Sequence, residues 1–164
     1  SDLDLSWHFI GPIQSNKTRA IATHFHWVHS IDREKIARRL SEQRPPEMLP
    51  LQVCLQVNVS GEDSKSGVEP AQLQALAEAV LSLPRLRLRG LMAIPAATTD
   101  EREQRRTFAA LRKLLDELNS HLPCAGGGQA LDTLSMGMSG DLEAAIIEGS
   151  TLVRVGTDLF GKRQ

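Results

Sequence analysis

A chain of 164 residues has the length of one domain, for which about 150 residues is usual, and residues 1–164 are read as a single domain. Its 19 Lys and Arg nearly cancel 20 Asp and Glu, so the net charge of −1 gives no general attraction to nucleic acid or anionic lipid. With 41% hydrophobic and 24% charged residues the chain is too apolar for disorder, and its apolar runs fall far short of the ~20 residues of a membrane-spanning helix.

In chain order, Ser1 to Leu5 carries no leader character and no Met, and reads as a cut rather than a natural start. Trp7 to Ile10 is the first run with strand character. Alternation sends His8 and Ile10 to one face, where a packed or hydrogen-bonded core histidine is expected. His24, His26 and His29 cross from a helix end into a second strand, Trp27 to Ile31. No carboxylate or cysteine stands at ligand spacing, so no metal site is expected. Asp32 to Leu40 has the period of a helix burying Ile36, Ala37 and Leu40, and Arg44 to Pro50 is a loop.

Leu51 to Val59 reads as the third strand. After it, Pro70 to Leu83 puts Pro in a first helical turn and aligns Leu73, Leu76, Ala77 and Val80. Leu86 to Ile94 is the fourth strand. Thr98 and Glu101 have capping-box spacing ahead of a helix whose Phe108, Leu111, Leu115, Leu118 and Leu122 share a face. Pro123 to Gly128 is a loop, Thr133 to Met136 the fifth strand, Asp141 to Glu148 a short helix stopping at Gly149, and Thr151 to Val155 the sixth strand. The two cysteines, Cys54 and Cys124, have no paired spacing, which suits a reduced, cytoplasmic protein.

Apolar runs alternating with helical periods predict βα units on a parallel sheet, either doubly wound or a (β/α)8 barrel. A barrel takes eight strands and ~250 residues, so six strands in their order of occurrence predict an α/β, TIM-barrel-type sheet that is incomplete. Trp7 to Ile10 and Thr151 to Val155 would be its open edges, inviting self-association or an N-terminal segment to cover them.

Three segments carry residue types suited to a ligand. Ser135-Met136-Gly137-Met138-Ser139-Gly140-Asp141 runs from a strand end into a helix start, as either an anion-binding loop or a tight turn capped by Ser139. Arg154-Val155-Gly156-Thr157 adds an arginine beside a second glycine turn; alone, Arg154 is equally a buried ion-pair partner. Ser60 to Gly67 offers Lys65 above a strand end, or is a solvated polar loop. No nucleophile elbow, Walker loop or metalloprotease helix occurs.

Trp7-His8-Phe9-Ile10-Gly11-Pro12-Ile13-Gln14-Ser15-Asn16-Lys17 resembles the signature of the pyridoxal phosphate homeostasis protein family, also called YggS or PROSC. Ser64-Lys65-Ser66-Gly67, Ser135 to Asp141 and Arg154 to Gly161 agree with that family in order. The resemblance implies a (β/α)8 barrel similar to the N-terminal domain of alanine racemase. It also implies pyridoxal 5′-phosphate as cofactor, held without a defined turnover reaction. By it, Ser139, Gly156 and Thr157 hold the phosphate, Arg154 faces the pyridine nitrogen, and Ser135, Gly137 and Met138 shape the same loop.

One departure is expected to matter. The family's cofactor lysine ends a first barrel strand, and neither it nor the Phe-Gly-Glu-Asn motif after the second strand occurs here. The catalytic set is therefore left empty. Pyridoxal phosphate, or a phosphate or sulfate anion, is expected to bind weakly through phosphate and ring contacts or through an imine to Lys65. The alternatives are a racemase-like enzyme, disfavoured because the chain contains no tyrosine, and a trimmed core that binds no cofactor.

Overall fold

The computed structural model describes residues 3–60, 66–122 and 130–161. Six strands, β1 (His8–Phe9), β2 (Trp27–Ile31), β3 (Leu51–Gln56), β4 (Leu86–Met92), β5 (Thr133–Met138) and β6 (Leu152–Arg154), form one sheet in chain order. Every adjacent pair is parallel, as βα repetition requires. Register shifts at Val28/Ile31, Val53/Cys54 and Ser135/Met138 interrupt the ladders, and such bulges bend a sheet. The sheet curls until its two ends face one cavity, lined by His8 and Ile10 from the β1 side and by Leu152 to Gly156 from the β6 side.

Alternation along the strands gives the curled sheet two unlike faces. On the convex face Val28, Val53, Leu55, Leu88, Leu91, Leu134 and Met136 join the helices in one apolar cluster, each fully buried Leu or Ile contributing about 1.5–3 kcal/mol. The packed helices are α1 (Thr18–His24), α2 (Glu34–Gln43), α3 (Pro70–Leu81), α4 (Glu101–His121) and α5 (Leu142–Ile147), while the four-residue α6 (Thr157–Phe160) buries none of its residues and stands outside the cluster. The expected residues face inward: Ile36, Ala37 and Leu40 from α2; Leu73, Leu76, Ala77 and Val80 from α3; Phe108, Leu111, Leu115 and Leu118 from α4. Cys54 and Met92 are as buried but stand outside this cluster, with Met92 in register with Ser135.

Several boundaries differ from expectation. The α4 cap is Asp100, whose carboxylate accepts the Arg102 N–H at 2.9 Å, while Thr98 hydrogen bonds Glu103 instead. Asp is a strong N-cap, and it starts the helix at Glu101 rather than at a capping box. Strand β3 stops at Gln56 and β4 at Met92; past them single backbone hydrogen bonds from Val57 to Met92 and from Ala93 to Ser135, and the Val57–Val68 bridge, carry the pairing a step further. A 3₁₀ turn at Ser15–Lys17, α1 and α6 are present without a predicted range.

Two polar clamps hold the frame. Buried Arg44 donates to the carbonyls of Ala22 and Phe25 at 2.7 Å and of Leu49 at 2.8 and 3.0 Å, tying the end of α1 to the approach of β3. At the N-terminal end of the concave face Arg89 chelates Asp132 at 2.7 and 3.0 Å, donates to Gln52, and lies 4.9 Å over Trp27. The Arg89 guanidinium holds the Asp132 carboxyl below its usual range.

At Gly90 the β5 backbone leaves no room for a side chain: a Cβ there would sit 1.9 Å from the Thr133 carbonyl oxygen. Backbone cannot give way as a side chain can, so Gly90→Ala should lower unfolding stability by about 2–4 kcal/mol or prevent folding. Gly140→Ala, whose Cβ meets nothing within 4 Å, should change it by less than about 0.5 kcal/mol. Urea denaturation of both variants checks the pair.

Candidate functional site

The cavity between the sheet ends has a volume of about 650 Å³ and lies at the C-terminal side of the strands. In parallel α/β barrels this side carries the ligand, because the βα loops that vary start there. Its wall combines Ile10, Ile94, Met138, Leu152, Val153 and Val155 with two polar side chains, His8 and Arg154, and the Gly156 backbone.

Arg154 ends β6 and is half-buried. Its guanidinium donates to Ser135 Oγ at 2.7 Å and to the Ala93 carbonyl at 2.9 Å. The ion-pair reading does not hold: among the described residues Arg154 has no carboxylate within salt-bridge distance. Burial lowers its pKa, and the negative charge of Asp141 works in the opposite direction.

Ser135 is fully buried, with its hydroxyl toward the concave side. Gly137 turns its bare side outward, where a Cβ would lie 2.6 Å from Ala145 Cβ, and its φ of +99° suits glycine alone. That lets the loop pass close over α5 while Met138, 44% exposed, lines the cavity. Ser139 does not cap α5. Its Oγ accepts from the Asp158 N–H at 3.4 Å, joining the β5–α5 loop to the start of α6. Asp141 occupies the cap position, and its carboxylate accepts the Met138 N–H at 2.6 Å.

Gly156 and Thr157 follow β6 at the same end of the sheet. No protein group among the described residues accepts their N–H groups, and Gly156 has open space where a Cβ would stand. The structure thus brings together Ser135, Met138, Ser139, Arg154, Gly156 and Thr157, with Gly137 behind them. Lys65 lies outside the described residues.

Two residues here escaped sequence reasoning as site residues. His29, fully buried on β2, places Nδ1 2.7 Å from Ser135 Oγ and Nε2 2.8 Å from His8 Nδ1. His8 is half-buried rather than a core residue, stacks on Trp27 at 5.2 Å, and reaches the cavity. Burial, then the neighbouring His8 and Arg154, lower the His29 pKa to about 4; burial and His26 lower that of His8. His26 instead accepts the Trp7 N–H at 2.9 Å. Among the described residues no three His, Cys, Asp or Glu side chains converge on one point, and no helix is long and apolar enough to cross a membrane.

The alanine racemase N-terminal domain family matches residues 2–164. The pyridoxal phosphate homeostasis protein of Pseudomonas aeruginosa is 66% identical over 163 residues, covering 99% of this chain and 67% of the relative. That of Vibrio cholerae is 60% identical over 161 residues, covering 98% of this chain and 66% of the relative. The chain belongs to the pyridoxal phosphate homeostasis protein family.

It spans about two thirds of the length of these curated relatives. Among solved structures, PipY of Synechococcus elongatus with pyridoxal phosphate bound superposes with a TM-score of 0.86 at 38% identity, over 98% of this chain and 72% of PipY. The parallel, barrel-type sheet expected from the sequence is therefore the family's fold.

Neutral His29 makes the fold acid-sensitive. In the unfolded chain it takes up a proton near pH 6.5, in the folded chain only near pH 4. Between these values the unfolded state holds more protons, so the stabilisation is complete above about pH 6.5 and is lost as pH falls toward 4. The difference corresponds to about 3 kcal/mol. The urea midpoint should fall between pH 7.5 and 5, and fall less in His29→Gln; equal falls would remove His29 as the cause.

Proposed function

We propose that this chain binds pyridoxal 5′-phosphate reversibly and serves its homeostasis in the cytoplasm without turning over a substrate. The observation that carries this reading is the meeting of Arg154 with the β5–α5 and β6–α6 loops at one cavity. The names of the relatives and the cofactor in PipY support it. We take residues 1–164 as one domain, the C-terminal part of the family's barrel.

The residues present suit the group. Gly156 and Thr157 offer backbone N–H groups without a protein acceptor, and Ser139 adds a hydroxyl to bind the phosphate. Ile10, Ile94 and Met138 form an apolar wall for a ring. Bound pyridoxal phosphate supplies an aldehyde open to amines and a ring able to accept electron density.

Arg154 would face the ring nitrogen and would keep it unprotonated, because a permanent cation disfavours a second positive charge beside it. The side chains of the cavity support a holding role without turnover. Deprotonating and reprotonating an α-carbon on opposite faces takes two bases. His8 and Arg154 are the only titratable side chains of the described cavity wall, and the chain has no tyrosine.

Titration with pyridoxal phosphate at pH 7.5, followed by its absorbance, should show saturable binding. Arg154→Leu and Ser139→Ala should each weaken it, the first by about tenfold or more given the strength of charge-assisted hydrogen bonds. Inorganic phosphate should compete. Unchanged affinity in both folded variants, or no competition by phosphate, would overturn the assignment.

A further inference from the structure

Four side chains on the concave face form one continuous hydrogen-bonded line: Arg154, Ser135, His29 and His8. The contacts measure 2.7 Å from Arg154 to Ser135 Oγ, 2.7 Å from Ser135 Oγ to His29 Nδ1, and 2.8 Å from His29 Nε2 to His8 Nδ1. They join β6, β5, β2 and β1 across the inside of the curl. Neither fold nor phosphate binding accounts for two histidines there. A buried polar chain is also demanding, since every member must be satisfied.

The donors can be assigned by elimination. A guanidinium only donates, so Ser135 Oγ accepts from Arg154 and has its own hydrogen to place. The described hydrogen bonds offer that hydrogen one acceptor, His29 Nδ1. Were His29 Nδ1 protonated, the hydroxyl hydrogen of a fully buried serine would be stranded without an acceptor.

His29 therefore carries its proton on Nε2 and donates to His8 Nδ1. Neutral His8 then carries its proton on Nε2. A positive His29 would face Ser135 with a second cation, Arg154, on the far side, and burial opposes the charge as well. The His8 ring cannot readily turn away, because Trp27 stacks on it with planes 5° apart.

We propose that His8 and His29 are positioning residues for Arg154, acting through Ser135, and that the line ends in His8 Nε2–H as a second donor at the cavity, suited to an acceptor oxygen of the bound ligand. The proposal rests on the reading of this cavity as the pyridoxal phosphate site. It gives Arg154 a fixed direction without a carboxylate partner. The line has a single polarity from guanidinium to cavity, so a change at either end is felt at the other.

The test has two arms, and the first needs no ligand. Nitrogen-15 NMR of histidine-labelled wild-type chain at pH 7 should show His29 and His8 neutral, each with a bare Nδ1 and a protonated Nε2. A protonated Nδ1 on His29, or a charged His29, would overturn the relay.

In the second arm pyridoxal phosphate is titrated into Ser135→Ala and His8→Phe, the latter keeping an aromatic ring on Trp27. Ser135→Ala should weaken binding about tenfold and His8→Phe about threefold, and both should let His29 populate its second tautomer. If Ser135→Ala fails to fold, His8→Phe decides the arm. Wild-type affinity with an undisturbed His29 tautomer in a folded variant would overturn the proposal. Should wild type bind no pyridoxal phosphate, the functional reading falls, and the tautomer measurement still decides the relay.

Discussion

The hydroxyl of Ser135 joins parts of the chain that lie 106 residues apart, because His29 of β2 and Arg154 of β6 both reach it from across the concave face. A flat sheet could not bring β2, β5 and β6 to one oxygen, since parallel neighbours stand about 4.8 Å apart. Curvature is thus a condition of the site. It comes from the register shifts between β2 and β3, β3 and β4, and β5 and β6. Gly90 lets β5 close on β4 between the last two, and the apolar convex face keeps the sheet bent by packing helices on one side only.

The concave face is stratified. Toward the N-terminal strand ends, Arg89 is held by Asp132 and Gln52 beneath Trp27, a layer with its charges paired. One level up, His8 stacks on the same Trp27 and opens the line to His29, Ser135 and Arg154. The lower layer therefore sets the plane of the ring on which the upper one depends. In barrels, the N-terminal face commonly serves stability and the C-terminal face ligands; here a single indole connects the two.

Most of the sheet was legible because buried parallel strands are written as apolar runs between turn residues, and four of them start where the sequence reading put them, at Trp27, Leu51, Leu86 and Thr133. Their C-terminal ends were not. Val57 to Val59 and Ala93 to Ile94 continue the apolar pattern, yet the chain leaves the ladder to build the loops around the site. The helix at Thr18–His24 was legible only as an end near His24, without a start, because its apolar residues Ala20, Ile21 and Ala22 are consecutive and show no helical period. The glycines and Arg154 were legible as a motif. The roles of His8 and His29 were not, since a contact across 106 residues leaves no local spacing to read, and the run from His24 to His29 showed locally only that metal-ligand spacing is missing.

Partly burying a guanidinium costs free energy unless other groups replace its water. Arg154 meets that cost with a serine oxygen and a carbonyl, dipoles without net charge, whereas Arg89, at the closed end of the same sheet, has the full carboxylate of Asp132. The two arginines differ in what they leave over. Arg89 is electrically spent within the fold. Arg154 retains its positive charge at the cavity wall, and neutral histidines behind Ser135 neither cancel that charge nor add to it. Under the proposed reading, a directed cation with no described carboxylate in salt-bridge distance, beside backbone N–H groups without a described protein acceptor, would be offset by the phosphate of the ligand, with Ile94 and Met138 as the wall for its ring.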